Sequence, residues 1–373
     1  MFRPQIQKTS TLFLIAIFNV LMVYFAVTST VKVKQSGYDH KIMAVENMYN
    51  SLETIKKLPL EIPYYDKFNS GIIGIDKSPI TSINDLDSLM LESKQIVSHP
   101  NFAALIIELF YDAEINSGDT IAVSMTGSFP GANIALYAAC RAMNITPIVI
   151  SSVASSAWGA NRVQQTWPKI ENYLYNNNKI KHKSIAYSIG GKNDIGTQMS
   201  SESLEIIVSI IHDYVSPDTK FINNSRLNKN IEDKLDLFRT RCKQYSGYVN
   251  IGGGATSLGS GIGKDTMQVG FISLLDFNDL EISNTFEKSI AYQIVKENSI
   301  PLINIKNIKK LMGDHRLNST MYKGDLFYTI YNYNPAVIII GILSTLLLIV
   351  SIGIYSHTQI RKRMENNDFD SVV

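Results

Sequence analysis

The residues of this chain best suited to chemistry are small, flexible ones that follow short apolar runs in four places. The four loops, rich in glycine, serine and asparagine, are residues 125–131, 151–161, 190–194 and 252–263. Parallel strands end at one edge of a sheet, so we expect the loops to form one crevice, where open α/β sheets bind ligands. The predicted ligand-binding residues are Thr126, Gly127, Ser128, Asn133, Ser151, Ser152, Asn161, Gly190, Gly191, Asp194, Gly252, Gly253, Gly254 and Ser257.

The first of these loops joins a candidate strand to a candidate helix. The free N–H groups of the turn at 131–134 and the positive end of the helix dipole should then face the crevice, which suits a carboxylate or phosphate. Thr126, Ser128 and Asn133 would add side-chain donors. The alternative is that Gly127 only serves a tight turn and that Ser128 caps the helix.

Other kinds of site are disfavoured by spacing. The glycines from 252 onward lack the G-x-G-x-x-G pattern of a dinucleotide-binding loop. Residues 263–265 (Gly-Lys-Asp) lack the upstream glycine of a phosphate-binding loop and the Ser or Thr that would hold magnesium. The six histidines contain no pair at i and i+4 and have no cysteine beside them. We therefore predict no metal and no cofactor.

Nucleophilic catalysis stays open as an alternative. The string at 127–131 misses the G-x-S-x-G spacing of a nucleophile elbow by one residue. A serine nucleophile also needs a base, and His315 beside Asp314 is the histidine in the right region. The weak catalytic candidates are Ser128, His315 and Asp314, and we favour a protein without catalytic activity.

Two apolar segments bracket the chain and predict membrane helices at 9–31 and 336–355. The basic residues after the second segment indicate a cytoplasmic C-terminus, and a single loop between two crossings places both termini on that side. The expected organisation is a cytoplasmic N-terminus (1–8), the first helix, a connecting helical segment (32–60), an extracytoplasmic domain (61–325), an aromatic juxtamembrane segment (326–335), the second helix and a cytoplasmic basic tail (356–373). A cleaved signal peptide is the alternative for the first segment.

Composition excludes several classes of protein. The 373 residues carry 35 basic and 33 acidic side chains, a net charge of +2, which argues against nucleic-acid binding. Two cysteines are too few for a disulfide scaffold or a thiolate metal cluster. We expect Cys140 to be buried and free, although pairing with Cys242 is left open.

The region between the apolar segments alternates short apolar runs with helical patterns. Predicted strands lie at 71–75, 121–124, 147–151, 185–189, 248–251 and 301–305, and predicted helices at 38–58, 102–112, 132–143, 203–214 and 285–298. This alternation predicts a Rossmann-like, doubly wound α/β domain with a mostly parallel sheet, flanked by one N-terminal and one C-terminal transmembrane helix.

Several strings in this region resemble the poly-γ-glutamate system protein family. They are GIIG at 71–74 with SPIT at 78–81, NFAAL at 101–105, TGSFP at 126–130, the loop 151–161, and GGG at 252–254 with SLG at 257–259. The resemblance covers most of residues 70–315, with departures at Thr126, where a smaller residue is expected, and at Gly131, where a bulkier one is common.

The resemblance implies a membrane-anchored accessory protein of poly-γ-glutamate or capsule synthesis and export. Its implied partners are the poly-γ-glutamate ligase and its membrane subunits, the anionic polymer and the lipid bilayer of the plasma membrane. It transfers no catalytic role. We expect the glycine and serine loops to bind the polymer's carboxylates. The alternatives are an extracytoplasmic serine-dependent hydrolase or transferase that acts on the polymer, and a non-catalytic scaffold subunit of the synthase.

Overall fold

The computed structural model describes residues 8–34, 36–83, 88–259, 267–279, 284–314 and 329–370. The chain divides into two compact units, Met1–Gln35 with Thr329–Val373, and Ser36–Tyr328. Each unit is described by itself, with helices and strands numbered along the chain.

The first unit contains the two apolar helices, α1 (Thr9–Thr28) and α14 (Pro335–Asp370). Both are long and apolar enough to cross a membrane. They contact each other, and the Thr345 hydroxyl donates to the Asn19 side-chain oxygen over 2.8 Å. Strands β1 (Thr30–Lys34) and β11 (Thr329–Tyr333) pair antiparallel beside them. The helices therefore form a packed pair with a polar contact between their apolar surfaces.

The second unit alternates strands and helices along almost its whole length. Its elements are α2 (Tyr38–Ile55), β2 (Thr81–Ile83), α3 (Ser88–Ser98), α4 (Phe102–Asp112), β3 (Thr120–Thr126), α5 (Pro130–Met143), β4 (Thr146–Ser152), β5 (Ser155–Ser156), α6 (Trp167–Asn176), β6 (Ala186–Ser188), α7 (Ser201–His212), β7 (Lys220–Ile222), α8 (Leu227–Arg241), β8 (Gly247–Ile251), α9 (Ala255–Leu258), β9 (Gly270–Ile272), α10 (Leu274–Asn278), α11 (Asn284–Glu287), α12 (Ile290–Asn298), β10 (Leu302–Ile305) and α13 (Ile308–Asp314).

The described residues of this unit form a seven-stranded sheet in the order β7-β6-β4-β3-β8-β10-β9. Its neighbouring strands pair parallel except at one edge, where β9 runs antiparallel to β10. The central strands β8 and β10 are buried along their whole length. Continuous burial explains their apolar sequences, since both faces of a parallel sheet are covered.

Two apolar layers cover the sheet, and alternate residues of each strand enter them. In β3, Ile121, Val123 and Met125 join a cluster with helices α2, α4, α5 and α6, whereas Ala122 joins a second cluster with α8 and α12. This alternation follows from the two-residue period of a strand. It fixes which polar residues at the strand ends share a face.

The α/β class and the mostly parallel sheet are confirmed, and so are the strands predicted at 121–124, 147–151, 185–189, 248–251 and 301–305. The strand predicted at 71–75 is wrong. Its backbone bonds instead to a loop, because Ile75 N donates to the Asn161 side chain and Gly74 N to Trp158 O. Cys140 and Cys242 are both free.

Candidate functional site

The parallel pairing brings the predicted loops to one edge of the sheet. Strands β6, β4, β3, β8 and β10 run in the same direction, so the segments after Ser188, Ser152, Thr126 and Ile251 all leave at their carboxyl ends. The prediction that these loops leave the sheet at one edge is thereby confirmed. This is the edge at which open α/β sheets bind ligands.

Polar side chains on one face of the sheet lie at these strand ends, and we call them the strand-end row. The register pairs Ser188 with Ser152 and Ser152 with Thr126. Two residues before Thr126 on the same strand, Ser124 pairs with Asn250, which in turn pairs with Asn304. All six residues are buried. They face the α8 and α12 layer, because the residues two positions before them, such as Ala122 and Ala186, belong to that cluster.

Part of the row is closed by a hydrogen-bond chain to helix α9. The Tyr248 hydroxyl donates to Ser124 Oγ over 2.7 Å and lies 2.7 Å from Ser257 Oγ. Burial raises the pKa of Tyr248 to about 12, although the hydrogen bonds of Ser124 and Ser257 oppose that rise. The phenol therefore stays protonated and remains a donor near neutral pH.

A buried ion pair fixes the other end of the row. Lys234 Nζ, on α8, donates to Asp194 Oδ2 over 2.8 Å, to Ser188 Oγ over 2.9 Å and to Thr256 Oγ1 over 3.1 Å. Ser188 Oγ in turn donates to the other carboxylate oxygen of Asp194. This ammonium has all three hydrogens engaged, so it links β6, α8 and α9 as a structural clamp.

Polar atoms without hydrogen-bond partners lie within the row, at Thr126 and Asn250, and next to it, at Asn133 on helix α5. Among the described residues, Thr126 Oγ1, Asn133 Oδ1 and Asn250 Oδ1 are buried and unpartnered. Their neighbouring atoms are bonded, since Asn133 Nδ2 donates to Thr126 O and Asn250 Nδ2 donates to Gly252 O. These bonds place the three atoms around the ends of β3 and β8. Native cores rarely leave such atoms unsatisfied, so the group marks a candidate binding position.

The glycine loop after β8 lies directly against these atoms. Gly252 has a φ of +96°, and a side-chain carbon there would lie 2.4 Å from Thr126 Oγ1. Only glycine fits this conformation and this contact. Gly253 is exposed and Gly254 half-buried, so the loop borders solvent where it covers the row.

The first turn of α5 is covered by another helix end. A side-chain carbon on Gly131 would lie 2.4 Å from Val97 O, near the end of α3. Residues 130–133 are all buried. Asn133 and the neighbouring Thr126 therefore lie beneath the surface, whereas Ser128 is half-buried.

A second polar group lies on the α3 side of the same edge. Lys94, on α3, is 2 % exposed, and its Nζ donates to Ser156 Oγ over 3.0 Å. The same nitrogen lies 3.4 Å from the centre of the Phe129 ring. The backbone N–H of Ser156 donates to Ser128 Oγ. Burial lowers the pKa of Lys94 well below its usual value.

Other predicted site residues serve the packing of the loops. Ser151 Oγ lies 2.7 Å from Ser184 Oγ, and the hydroxyl of Ser184 donates to the buried Glu171. Trp167, which is fully buried, donates its indole N–H to Ser151 Oγ. Asn161 bonds to the backbone of Ile75 and to Thr81.

The remaining predicted glycines pack closely against neighbouring segments. A side-chain carbon at Gly190 would lie 2.8 Å from Ser152 Cβ, and one at Gly127 would lie 2.6 Å from Val153 O. Gly191 begins the short 3₁₀ turn that carries Asp194. Asp314 is the last residue of α13, and His315 lies outside the described residues.

Comparison of the chain with protein-family models, curated proteins and solved structures finds no match.

Sequence reasoning missed Lys94, Lys234 and Asn250. Lys234 follows Ile231 by three residues and precedes Phe238 by four, which places it on the buried face of α8. That spacing is a signal that sequence inspection can detect. The Lys94 contact with Ser156 joins elements about 60 residues apart and has no comparable local signal.

Proposed function

We propose that the protein is a membrane-anchored accessory component of poly-γ-glutamate, or capsule, synthesis and export, and that the strand-end row holds the polymer. The observation that carries the proposal is the group of unpartnered atoms at Thr126, Asn133 and Asn250, beside the exposed Gly253. The family resemblance of these loops supports the choice of polymer.

The chemistry of a γ-linked glutamate chain fits these atoms. Each of its residues carries one amide N–H, one carbonyl and one α-carboxylate. The side-chain oxygens of Asn133 and Asn250 accept amide hydrogens, and the hydroxyl of Thr126 donates to a carboxylate. Glycine at 252 lets the polymer backbone approach closely. Such a site needs no basic surface, in keeping with a net charge of +2.

The proposed architecture places this site outside the cell. Helices α1 and α14 span the plasma membrane, and the basic residues at 357–363 keep the C-terminus, and with it the N-terminus, in the cytoplasm. The α/β unit is a Rossmann-like, doubly wound domain on the outer face. There it receives the polymer from the ligase and its membrane subunits.

A pair of matched variants tests the site. The Thr126 and Thr166 hydroxyls are both buried and unpartnered. Thr166 directly precedes α6, which packs in the opposite apolar layer from the one that the strand-end row faces. We expect Thr126→Val to weaken binding of γ-glutamate oligomers by about tenfold, or about 1.4 kcal/mol, and Thr166→Val to leave it unchanged. Binding is measured by calorimetry on the full chain in lipid nanodiscs.

Several results would contradict the proposal. The wild-type chain should bind γ-linked oligomers more tightly than α-linked ones of equal length and charge, since amide spacing differs between the two. Equal, salt-sensitive binding of both would indicate a non-specific charge effect. If the oligomers do not bind and Thr126→Val supports normal polymer yield and length in cells, the scaffold alternative replaces the proposal.

A further inference from the structure

We propose that Lys94 and Ser156 form a general base and nucleophile for acyl transfer at the carboxyl edge of the sheet. The polar contact between them is 3.0 Å from Nζ to Oγ, the reach that proton transfer requires. Lys94 lies on α3, and Ser156 is the second residue of the short strand β5.

The surroundings of Lys94 suit a base rather than a structural ammonium. In the described part of the chain its amine contacts Ser156 Oγ and the Phe129 ring, with no carboxylate beside it. Burial lowers the pKa of Lys94 by disfavouring the charged form, so a neutral amine is available to accept a proton. Lys234, the buried lysine of α8, instead donates to Asp194 and is committed to an ion pair.

Phe129 and Ser128 supply the other electrostatic needs of such a reaction. The ring face of Phe129, 3.4 Å from Nζ, stabilises the ammonium that forms when Lys94 takes a proton. Ser128 Oγ accepts the backbone N–H of Ser156, and its own hydrogen has no acceptor among the described residues. That hydrogen can bond to the oxygen of a reacting carbonyl. Ser128 and Phe129 are half-buried and border solvent.

The proposed reaction is hydrolysis of an amide. The Ser156 proton passes to Lys94 Nζ as Oγ forms a bond to the carbonyl carbon and the carbonyl electron pair moves to oxygen. The C–N bond then breaks, and the leaving nitrogen takes the proton from Lys94. The carbonyl re-forms as this bond breaks, which leaves an acyl-serine ester. Water next forms a bond to the acyl carbon and gives one proton to Lys94, and the ester C–Oγ bond breaks to release the acid. Lys94 returns that proton to Ser156 Oγ.

The substrate class follows from the site's position and rests on the proposed function. Ser128 follows Thr126 of the row by two residues and accepts the backbone N–H of Ser156, so the Lys94–Ser156 pair adjoins the segment that carries the row. The bond cleaved is then a γ-glutamyl amide, and the product is a shortened chain.

A serine-directed fluorophosphonate probe tests the pair without the polymer. We expect the full chain in nanodiscs to form an adduct on Ser156, located by mass spectrometry of the digested protein. The labelling rate should rise with pH and level off below the pKa of about 10.4 of a free lysine. Ser156→Ala should abolish the adduct, and Lys94→Met should slow it by about 100-fold.

Two further variants separate catalysis from structure. Phe129→Leu should move the midpoint of the pH profile to lower pH, because the ring no longer favours the ammonium; a merely structural contact would not shift it. Lys183→Met, which removes a lysine stacked on Tyr175, should leave labelling unchanged. If a variant fails to fold, the pH dependence of labelling in the wild-type chain still tests the proposal, because a labelling rate that does not level off below the pKa of a free lysine would contradict it.

The outcomes distinguish this inference from the proposed function. No adduct on Ser156 in folded wild-type protein, or an unchanged rate in Lys94→Met, overturns the pair while leaving polymer binding to its own test. An adduct without binding of γ-glutamate oligomers confirms the pair, and then the polymer assignment fails. Ser156→Ala should retain polymer binding and lose the release of short chains.

Discussion

Removing the buried ammonium of Lys234 should destabilise the α/β unit far more than removing a surface charge. Lys234 and Asp194 are 4 % and 3 % exposed, and Nζ donates to Asp194, Ser188 and Thr256. In Lys234→Met the carboxylate keeps the donors of Ser188 and Asn230 but loses its countercharge. We expect a loss of about 3–5 kcal/mol in the free energy of unfolding.

The double variant makes the reasoning specific. Asp194→Asn alone leaves an uncompensated ammonium and should cost a similar amount, while asparagine tolerates the left-handed φ of +63° at this position. Lys234→Met with Asp194→Asn removes both charges together. Its cost should fall below the sum of the single costs by at least about 2 kcal/mol, because each single variant strands the other charge.

Tryptophan fluorescence during urea unfolding provides the assay. The chain has two tryptophans, Trp158 and Trp167, and both lie in the α/β unit. The signal therefore reports that unit alone, even when the apolar helices stay in detergent micelles. A loss below about 1 kcal/mol for Lys234→Met, or additive costs in the double variant, would refute the account of a buried, mutually dependent pair.

Three further predictions concern pH, a glycine contact and the helix pair. Burial lowers the pKa of Lys94 in the folded chain. Wild-type stability should therefore fall as pH falls from about 10.4, the pKa of lysine in the unfolded chain, toward the lowered folded value. The slope reaches at most about 1.4 kcal/mol per pH unit, and Lys94→Met should remove it. Gly252→Ala should cost about 1–3 kcal/mol more than Gly118→Ala, since both have positive φ but the Gly118 position is open. Met22→Cys with Gly341→Cys should form a disulfide in a background without native cysteines, because the side-chain carbons would lie 3.6 Å apart, and thiol counting checks it.

The fold could be predicted from local patterns where apolar runs are continuous. The predicted helix 102–112 coincides with α4, and the central strands differ from prediction by one or two residues. The edge strands β7 and β9 were missed because each has only three residues, too few to show a periodic pattern. Helix α8 was missed because its polar residues outnumber the residues of its buried face, which include Ile231.

The candidate site could be predicted only in part, since its geometry depends on strand register. Loop composition pointed to the carboxyl edge of the sheet and named Thr126, Asn133 and Gly252. Asn250 lay inside a predicted strand and attracted no attention, and only its pairing with Ser124 places it in the row. Lysines are normally solvated, so nothing local distinguishes Lys94 as a buried amine.

The unpartnered atoms of the strand-end row connect stability with function. A buried polar atom without a hydrogen bond destabilises the folded state by about 1–3 kcal/mol. Ser124, Ser188 and Asn304 of the same row are hydrogen-bonded, so this fold can satisfy polar groups at the strand ends. The exceptions cluster where glycines border solvent. A ligand that donates to the Asn133 and Asn250 oxygens and accepts from the Thr126 hydroxyl recovers the lost free energy only while bound. It should therefore stabilise the wild-type chain more than Thr126→Val. Thr126→Val itself should unfold at equal or higher urea concentration than wild type, because a methyl group needs no hydrogen bond. A variant that gains stability as it loses ligand would identify Thr126 as a binding residue, whereas loss of both would identify it as part of the core.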